Sequence, residues 1–417
     1  MEEKRELPVG WANATIGELN SYESRAVNPL ETPEVTYELY SVPAFPSRLP
    51  ELLAGSEIGS TKQVVEPHDV LICKINPRIN RVWNVGSKSA YPQIASSEWI
   101  ILRSPGLDSS YLRSLFAAPF FRKILCEGVT GVGGSLTRAQ PKKVREFVIP
   151  LAPLNEQCRI AAKLDTTLAA VDACRQRLDG VEALLKRFRQ AVLAAATSGE
   201  LTREWREERG VGDPKWPMVK TKEAGKVQLG RQRSPKYHHG PTMRPYLRVQ
   251  NIFEDRIDLS DVMEMDFSGP DLEKYRLHPG DILLNEGQSP QYLGRPAMYR
   301  GEMDVVCFTN SLIRFQSGDS VLPEFALLVF RHYMHSGRYV SEGTITTNIA
   351  HLSAGRFGEV EFPLPTLEEQ QEIVRRTQDL FSLADQLEVR LTAARRIVER
   401  LTPALLAKAF RGELVPQ

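Results

Sequence analysis

Apolar residues recur at alternating steps of four and three positions along two long stretches of the chain. The first run extends from Ile160 to Ala195, with Thr167 as a polar exception, and the second extends from Ile373 to Leu405. Such steps place one stripe of side chains at the a and d positions of a heptad repeat. The pattern therefore predicts two long helices, and about 42 residues in each would make a rod of roughly 60 Å.

Both predicted helices have boundary residues at their ends. Pro153 and Pro365 stand just before the two runs, and Gly199 and Gly412 stand just after them, as is typical of helix starts and C-terminal caps. Pro403 lies inside the second run, where it predicts a kink or a break. Two runs of equal length fit best as partners in an antiparallel coiled coil. The alternative, that each helix belongs only to the core of its own domain, stays open at this point.

The block that contains each run occurs twice. A shift of 213 positions aligns residues 150–201 with residues 363–414 without a gap and with 17 identities. Pro67-His68-Asp69-Val70-Leu71 also resembles Pro279-Gly280-Asp281-Ile282-Leu283, at an offset of 212. The chain is therefore a duplicated frame with two different inserts, which suggests two similar tasks with different targets.

The two inserts combine strand-like and helix-like stretches. The β-type runs are residues 70–75, 98–102, 246–252, 281–284 and 311–315, and the helix-like stretches are residues 110–125 and 324–335. The predicted fold class is α+β, with two mixed α/β domains separated by two long antiparallel helices that form a coiled-coil spacer, and with a pseudo-twofold internal repeat. The predicted segments are residues 1–152, 153–212, 213–364 and 365–417.

The composition excludes several classes of protein. With 417 residues, 42% of them hydrophobic and 25% charged, the chain resembles an ordinary soluble protein. Its apolar runs are far shorter than the about 20 residues of a membrane helix, and the start lacks the apolar run of a signal peptide. The five cysteines are scattered without a CxxC pair, which argues against a zinc ribbon or a disulfide scaffold. We therefore expect a cytoplasmic protein.

Basic residues are concentrated in one stretch of each insert, although the net charge is only +1. The two inserts, residues 1–152 and 213–364, are called the variable domains below. Residues 74–88 contain four bases, three asparagines and Trp83 without an acid, and residues 230–244 have the same character. Arginine and asparagine can donate paired hydrogen bonds to base edges, and tryptophan can stack on bases or wedge between them. Nucleic acid is the natural partner, and a solvated basic face is the alternative. The polar loop 285–295 could enter a groove or be an ordinary connector.

We find no complete catalytic or metal-binding motif. The [ND]PP[YF] tetrapeptide of amino-methyltransferases and the Walker A sequence are missing, and the glycine-rich segment 127–134 does not match GxGxxG. Asp281 with Asn285-Glu286 resembles only part of a nuclease carboxylate set. His332 and His335 have no third ligand nearby in the sequence, so surface residues are the better interpretation.

The repeated blocks resemble a known family. PLAPLNEQ and PLPTLEEQ, each followed by a long heptad helix that ends in SGEL or RGEL, are similar to the two conserved regions of the specificity (S) subunit of type I restriction–modification enzymes. YLRVQNI, PGDILLNEGQS, GRPAMY and TNIAHLSAGRF resemble pieces of that family's target-recognition domains, and LPVGW fits its usual opening. The first domain departs more, because Glu66-Pro67-His68-Asp69 stands where the second has Pro279-Gly280-Asp281. Its target therefore stays unreadable.

The resemblance implies a DNA-recognition subunit without catalysis of its own, acting in defence against foreign DNA. Residues 1–152 and 213–364 would be target-recognition domains that each read one half of a bipartite, asymmetric double-stranded DNA site. The helices would set the unread spacer between the halves. Two methylation subunits would bring S-adenosylmethionine, and two restriction subunits would bring ATP and Mg, while this chain binds no cofactor.

Two other classes of protein compete with this interpretation. One is a single-chain DNA methyltransferase or nuclease with its own recognition half, which the missing motifs and the short chain disfavour. The other is a dimeric coiled-coil interaction protein, in which the helices would pair between two chains.

The predicted site residues fall into two groups. The predicted DNA-binding residues are Lys74, Arg78, Arg81, Asn84, Arg138, Lys142, Arg231, Arg233, Lys236, Gln288, Gln291, Tyr292, Arg295 and Asn348. Arg, Asn and Gln would read base edges, and Lys would mainly hold phosphates. The predicted subunit-docking residues are Glu156, Gln157, Glu369 and Gln370, for which capping of the helix start is the competing role.

Overall fold

The computed structural model describes residues 7–127, 129–130, 137–211, 216–346 and 349–416. It divides into two compact units. The first unit consists of Met1–Asp179 and Thr392–Gln417, and the second consists of Gly180–Leu391. Both division points fall inside the long helices, so each unit contains one variable domain and a part of each helix. The division into four segments remains a prediction.

The first unit opens with a series of short strands and helices and ends in the first long helix. Its elements are β1 (Ala12–Thr15), α1 (Ile16–Leu19), β2 (Ala26–Val27), β3 (Thr36–Tyr40), β4 (Glu51–Ala54), β5 (Lys62–Val64), β6 (Val70–Cys73), β7 (Val82–Asn84), β8 (Gln93–Ala95), β9 (Trp99–Leu102), α2 (Ser109–Ala117), α3 (Pro119–Glu127), β10 (Val129–Thr130), β11 (Arg138–Ala139), α4 (Pro141–Arg145), β12 (Val148–Leu151) and α5 (Leu154–Ser198).

The strands of the first unit form a five-stranded sheet, β2-β5-β8-β3-β4, and a three-stranded sheet, β7-β6-β9. All four residues of β6 and of β9 are buried, because these apolar runs are covered on both faces. Leu112, Leu115 and Phe116 of α2 pack on β6 in the largest core cluster. The pairs β1-β12 and β10-β11 complete the strands.

The second unit repeats this mixture of strands and helices. Its elements after the remainder of α5 are α6 (Arg203–Glu208), β13 (Met218–Lys220), α7 (Thr221–Ala224), β14 (Gly225–Leu229), β15 (Met243–Leu247), β16 (Ile252–Phe253), β17 (Arg256–Ile257), β18 (Met263–Asp266), α8 (Asp271–Tyr275), β19 (Ile282–Asn285), β20 (Gly287–Gln288), β21 (Pro296–Met298), β22 (Cys307–Phe308), β23 (Leu312–Ser317), α9 (Pro323–His335), α10 (Arg338–Glu342), β24 (Thr344–Thr346), β25 (Ile349–His351), α11 (Ala354–Glu359), β26 (Glu361–Pro363) and α12 (Leu367–Ala409).

The second unit has the same central strand arrangement as the first. Its four-stranded sheet has the order β14-β23-β19-β21. The central strand β19 pairs antiparallel with β21 and β23, as β6 pairs with β7 and β9. In both units a helix, α2 or α9, follows the third of these strands. The two variable domains are therefore more alike in fold than their sequences indicate.

Both predicted long helices are present at the expected positions. α5 spans 45 residues and α12 spans 43, and Gly199 after α5 is left-handed, with φ of 84°. α12 continues through Pro403, so the helix does not break there, and the kink that was the other expectation stays a prediction. The helix-like stretch 110–125, in contrast, is divided into α2 and α3 at Ala118-Pro119.

The two helices run antiparallel within each unit. In the first unit, Leu164 of α5 shares a core cluster with Leu406 of α12, and further along α5 Asp179 pairs with Arg395 at 3.1 Å. In the second unit, Arg189 of α5 pairs with Asp385 of α12 at 2.6 Å. The predicted antiparallel arrangement is thus confirmed. No helix among the described residues is both long and apolar enough to span a membrane.

Candidate nucleic-acid interface

The loop between β6 and β7 presents Arg78 to solvent in the first unit. Asn76 and Asn80 have φ of 48° and 51°, left-handed values that asparagine tolerates better than most residues. They flank a 3-10 turn, Pro77–Ile79. The Asn80 side chain donates to the carbonyl of Phe116 at 2.9 Å and so ties the turn to α2. Arg78 is therefore an exposed cation on a braced turn.

β11 brings a second part of the chain to this loop. The Asn76 N–H donates to the carbonyl of Thr137, and the Ala139 N–H donates to the carbonyl of Lys74, both at 2.9 Å. Arg138 pairs with Glu98 at 3.1 Å and remains mostly exposed. Burial lowers the pKa of the Lys74 ammonium, which donates to the carbonyl of Ser97 at 2.5 Å.

The remaining predicted residues of the first unit differ in accessibility. Arg81 is partly buried and donates weakly to the carbonyl of Ile75 at 3.4 Å. Lys142 is exposed on α4. Asn84 is partly buried and faces Ser109 at the start of α2 at 3.4 Å. The fold thus brings Lys74, Arg78, Arg81 and Arg138 into one basic loop region, whereas Asn84 contacts a different element.

Trp83 does not have the role that its place in the basic stretch suggested. Its side chain is only 6% exposed and belongs to a core cluster. It makes edge contacts with Tyr40 and Trp99, with ring centroids 4.9 and 6.3 Å apart. The prediction that it stacks on bases or wedges between them is therefore wrong.

The structure also contradicts the prediction for Arg231. The side chain is 7% exposed and pairs with Asp271 at 2.8 Å. The guanidinium lies 3.8 Å from the centroid of the Tyr237 ring and 5.1 Å from that of Phe267. Arg231 therefore binds elements of its own unit together and is not available to DNA.

Arg233 and Lys236 follow Arg231 and are exposed. The Arg233 guanidinium lies 5.7 Å from the Tyr246 ring, and the Lys236 ammonium lies 4.7 Å from the Tyr237 ring. A hydrogen bond with Lys236 is the main reason that the pKa of the Tyr237 hydroxyl is lowered. These two cations form a basic surface next to aromatic rings.

The loop from Gln288 to Arg295 forms a separate polar surface in the second unit. Gln288 lies in β20, which pairs with β25, and Gln291 and Tyr292 are exposed. Arg295 is half-buried, with its guanidinium 4.9 Å from the Phe253 ring and 5.2 Å from the Tyr292 ring, and burial lowers its pKa. Gln291, Tyr292 and Arg295 line a cavity of about 940 Å³. Asn348 lies outside the described residues.

The four predicted docking residues are buried at the starts of the long helices. Gln157 is 1% exposed and Gln370 is 0% exposed. Gln157 accepts from the N–H of Asp108, just before α2, at 3.1 Å, and Gln370 accepts from the N–H of Leu322, just before α9, at 2.8 Å. Each glutamine therefore fastens a long helix to the helix of its variable domain.

The two neighbouring glutamates are buried as well. Glu156 is 5% exposed and Glu369 is 4% exposed, and Glu369 pairs with buried Arg206 at 2.5 Å. Side chains at this depth offer no surface for docking, so the predicted docking role of Glu156, Gln157, Glu369 and Gln370 is contradicted.

Sequence reasoning missed a polar cavity in the first unit. Arg48 and Arg113 line it together with Asn84, and its volume is about 610 Å³. Arg48 donates to the carbonyl of Val82 at 3.0 Å, and burial lowers its pKa. The two arginines are far apart in the sequence and share no motif, so no local signal could have grouped them.

Two of the residues considered above for catalysis or metal binding, His335 and Asp281, have structural partners. His335 lies 3.0 Å from Glu254, and Asp281 pairs with Arg314 at 3.3 Å. Among the described residues, no group of three or more His, Cys, Asp and Glu side chains could hold a metal ion. The predicted DNA-binding residues that are accessible in the two units are thus cations, an amide and an aromatic ring, which suit recognition of a polyanion.

Comparisons with known proteins identify relatives of this chain. The family model of the type I restriction modification DNA specificity domain matches residues 215–394. The specificity subunit of the type I restriction enzyme EcoKI of Escherichia coli K12 is 31% identical over 289 residues, which cover 68% of this chain and 61% of that protein. The StySPI specificity subunit of Salmonella potsdam is 30% identical over 320 residues, which cover 75% of this chain and 66% of that protein. The chain thus spans somewhat less than two thirds of the length of these relatives.

Solved structures show the same fold. The HsdS subunit from Thermoanaerobacter tengcongensis matches with a TM-score of 0.63 and 20% identity, over 99% of both chains. A chain from a structure of type I R-M system assembly and conformational transition matches with a TM-score of 0.75 and 20% identity, over 98% of this chain and all of that one. With the family model and the sequence relatives, the repeated frame shows that this chain belongs to the family of type I restriction–modification DNA specificity subunits.

Proposed function

We propose that this chain is the non-catalytic subunit that selects the DNA sequence of a type I restriction–modification complex. The observation that carries the proposal is the repeated frame, in which each of the two variable domains has its own sheet with the same central strand arrangement and presents a different basic loop. One recognition domain per unit suits a bipartite, asymmetric site, with one half-site read by each domain.

The exposed side chains are the strongest candidates for DNA contacts. In the first unit they are Arg78, Arg138 and Lys142, and in the second they are Arg233, Lys236, Gln291 and Tyr292. Arginine and glutamine suit base edges, whereas lysine suits phosphates. Five further predicted residues are partly buried and would contact DNA only where a DNA group reaches them: Lys74, Arg81, Asn84, Gln288 and Arg295. Asn348 stays a prediction from sequence.

The long helices would set the unread spacer between the two half-sites. Half-sites read from one face of DNA lie about one helical turn apart, ~34 Å. Paired helices of 45 and 43 residues are long enough to determine a separation on this scale.

Exposed apolar residues of the helices replace the buried Glu and Gln residues as the docking surface for partner subunits. At many heptad positions the side chain is buried, as for Leu185 and Leu391, but at others it remains exposed, as for Phe188, Leu387 and Leu401. Large apolar side chains left exposed along a helix are typical of a protein interface. We assign this surface to two methylation subunits, which would carry S-adenosylmethionine. Two restriction subunits would add ATP- and Mg-dependent cleavage.

Methylome sequencing tests the proposal. A host that expresses this chain with its cognate methylation subunit should show a split methylated motif, and the motif should vanish when this chain is deleted. If the methylome is unchanged by the deletion while the methylation subunit is active, the specificity role is wrong.

A further inference from the structure

Several residues that line the polar cavity of the first unit have counterparts in the second unit. The repeat offset of 213 relates the stretches of the long helices in one unit to those in the other. Gln157 accepts from the N–H of Asp108, and Gln370 accepts from the N–H of Leu322, so an offset of 214 relates α2 to α9. Three lining residues therefore have larger counterparts: Phe381 for Leu168, Arg189 for Thr402 and Arg331 for Ala117.

In the second unit these larger side chains pack on one another. The guanidiniums of Arg189 and Arg331 lie 5.6 and 5.0 Å from the centroid of the Phe381 ring. Arg189 also pairs with Asp385 of α12 at 2.6 Å, and Arg331 pairs with Glu254 at 2.8 Å. Two arginines and a phenyl ring thus fill the space between the variable domain and the long helices.

In the first unit smaller side chains stand at the same three positions, and the space beside them is open. The cavity has a volume of about 610 Å³, within the range of about 300–1,000 Å³ that is typical of small-molecule sites. It is accessible from solvent, because the lining side chains of Asp165 and Arg175 are 50% and 46% exposed. A small molecule can therefore enter it.

The charged residues that line the cavity include one cation without an acidic partner. Arg113 pairs with Asp165 at 2.5 Å, and Arg175 pairs with Asp172 at 2.7 Å. Arg48 is the third arginine of the lining, and it forms no ion pair with any residue that the structure describes. The three arginines and two aspartates leave the lining with a net charge of +1.

The Arg48 guanidinium is fixed in place but lacks a counter-ion. It lies 4.0 Å from the centroid of the Phe45 ring and donates to the carbonyl of Val82 at 3.0 Å. Burial and the neighbouring charge of Arg113 lower its pKa, which means that its surroundings disfavour the positive charge. An anion in the cavity would compensate for both effects.

We propose that this cavity binds a small phosphate monoester, up to the size of a nucleotide, with its phosphate on Arg48. A guanidinium binds phosphate through two parallel hydrogen bonds. A monoester has three acceptor oxygens, so it can also accept from a neutral donor of the lining such as the Thr402 hydroxyl. A net charge of only +1 suits one phosphate group better than a long polyphosphate. The site does not depend on DNA recognition by this chain.

Titration of the full chain tests whether such a ligand binds. The probes are inorganic phosphate and adenosine monophosphate, with adenosine and sodium chloride at matched ionic strength as controls. Calorimetry should give a Kd below about 1 mM for adenosine monophosphate, and adenosine should not bind. If neither phosphate compound binds with a Kd below about 1 mM, or if adenosine binds as tightly as its monophosphate, the proposal is wrong.

Two further variants place the ligand in the cavity. Arg48→Ala should weaken binding of adenosine monophosphate by at least about tenfold, whereas Arg122→Ala, at an exposed residue outside the cavity lining, should leave it unchanged. Equal affinity in the wild type and in Arg48→Ala would overturn the assignment to Arg48.

The second variant fills the cavity as the second unit does and keeps Arg48. Leu168→Phe combined with Thr402→Arg introduces the counterparts Phe381 and Arg189, and Asp172 remains at the position of Asp385 to pair with the new arginine. Binding of adenosine monophosphate should be lost, with no fall in the melting temperature. If the filled variant folds and binds as the wild type does, the ligand lies elsewhere and the proposal fails, whatever the stability of Arg48→Ala.

Discussion

The aspartates of the two Pro-x-Asp motifs, Asp69 and Asp281, close the turns that start β6 and β19. Asp69 accepts from the N–H of Glu66 at 2.8 Å, and Asp281 accepts from the N–H of His278 at 3.0 Å. The turn residue between proline and aspartate is left-handed in both copies, with φ of 72° at His68 and 96° at Gly280. The first motif has His68 where the second has Gly280, and the turn nevertheless has the same conformation and the same hydrogen bond in both copies.

Two arginines of the basic stretches should separate DNA binding from stability. Arg78→Ala should weaken DNA binding of the assembled complex by ~1–3 kcal/mol if the side chain reads a base, with the free energy of unfolding unchanged because the residue is exposed. Arg231→Ala should instead lower the free energy of unfolding, because it leaves Asp271 without its partner. DNA titrations and urea denaturation measure the two effects. Unchanged DNA affinity in Arg78→Ala would remove it from the interface.

The same pair shows how far residue types alone could predict the site. The local composition predicted both basic stretches, and each stretch contains exposed basic residues, such as Arg78 and Arg233. Burial, however, depended on contacts distant in the sequence: Asp271 and Phe267 enclose Arg231, whereas the turn Pro77–Ile79 holds Arg78 outward. Such contacts leave no mark on the local pattern of charge.

At the scale of the element, the heptad pattern predicted the helices but not which of its positions are buried. Val171, Leu185 and Val192 of α5 are buried, whereas Cys174 and Phe188, at heptad positions between them, are exposed. A pair of antiparallel helices covers a narrower stripe than a helix buried in a larger bundle. Heptad spacing specifies the face of each helix, and the number of covering partners decides how much of that face is buried.

Leu387 and Leu391 lie one turn apart on α12 and should behave differently. Leu391→Ala should lower the free energy of unfolding by ~2–5 kcal/mol, because it opens a cavity at a residue that is 7% exposed. Leu387 is 40% exposed, so Leu387→Ala should change stability by only about 0.5 kcal/mol while weakening binding of the methylation subunit. Denaturation and binding measurements on both variants check this. If Leu387→Ala binds the subunit normally, this part of the helix is not the docking surface.

The link between α9 and the β16–β17 turn should make stability depend on pH. Glu254 pairs with Arg331 at 2.8 Å and with His335 at 3.0 Å. Burial alone would raise the pKa of Glu254, but the hydrogen bond with His335 and the charge of Arg331 lower it from 4.5 to about 2. A lowered pKa in the folded state means that the ionised carboxylate stabilises the fold above pH 4.5. This contribution is lost as the pH falls toward about 2.

The variant Glu254→Gln isolates that contribution. The wild-type chain should be the more stable of the two at pH 6, and the difference should shrink steadily as the pH is lowered below 4.5. Urea denaturation at several pH values measures it. A difference that stays constant with pH would mean that the carboxylate is not the group responsible.

At the scale of the whole molecule, duplication was the most informative feature of the sequence. The offset of 213 aligned the helices, and the offset of 212 aligned β6 with β19, the central strands of both units. The common arrangement of the flanking strands could not be predicted from the sequence, because β7 and β21 have different side chains and the loops that precede them differ in length. Strand pairing depends on backbone hydrogen bonds and on burial, which many sequences satisfy.

Among the described residues each core cluster lies within one unit, so the two halves of the recognised site should change independently. The clusters around Ile72 and Trp83 belong to the first unit, and those around Phe315 and Phe308 belong to the second. Substitution of both Gln291 and Tyr292 by alanine should therefore relax or change one half of the methylated motif and leave the other half as in the wild type.

Arg78→Ala is the matched control for this experiment, because it lies in the other unit and should affect only the opposite half. Methylome sequencing of both variants beside the wild type measures the outcome, since each half-site is read separately at every methylated locus. Loss of both halves in either variant would mean that the two domains recognise DNA as one coupled surface. A bipartite reader built from independent copies would then be the wrong description of this chain.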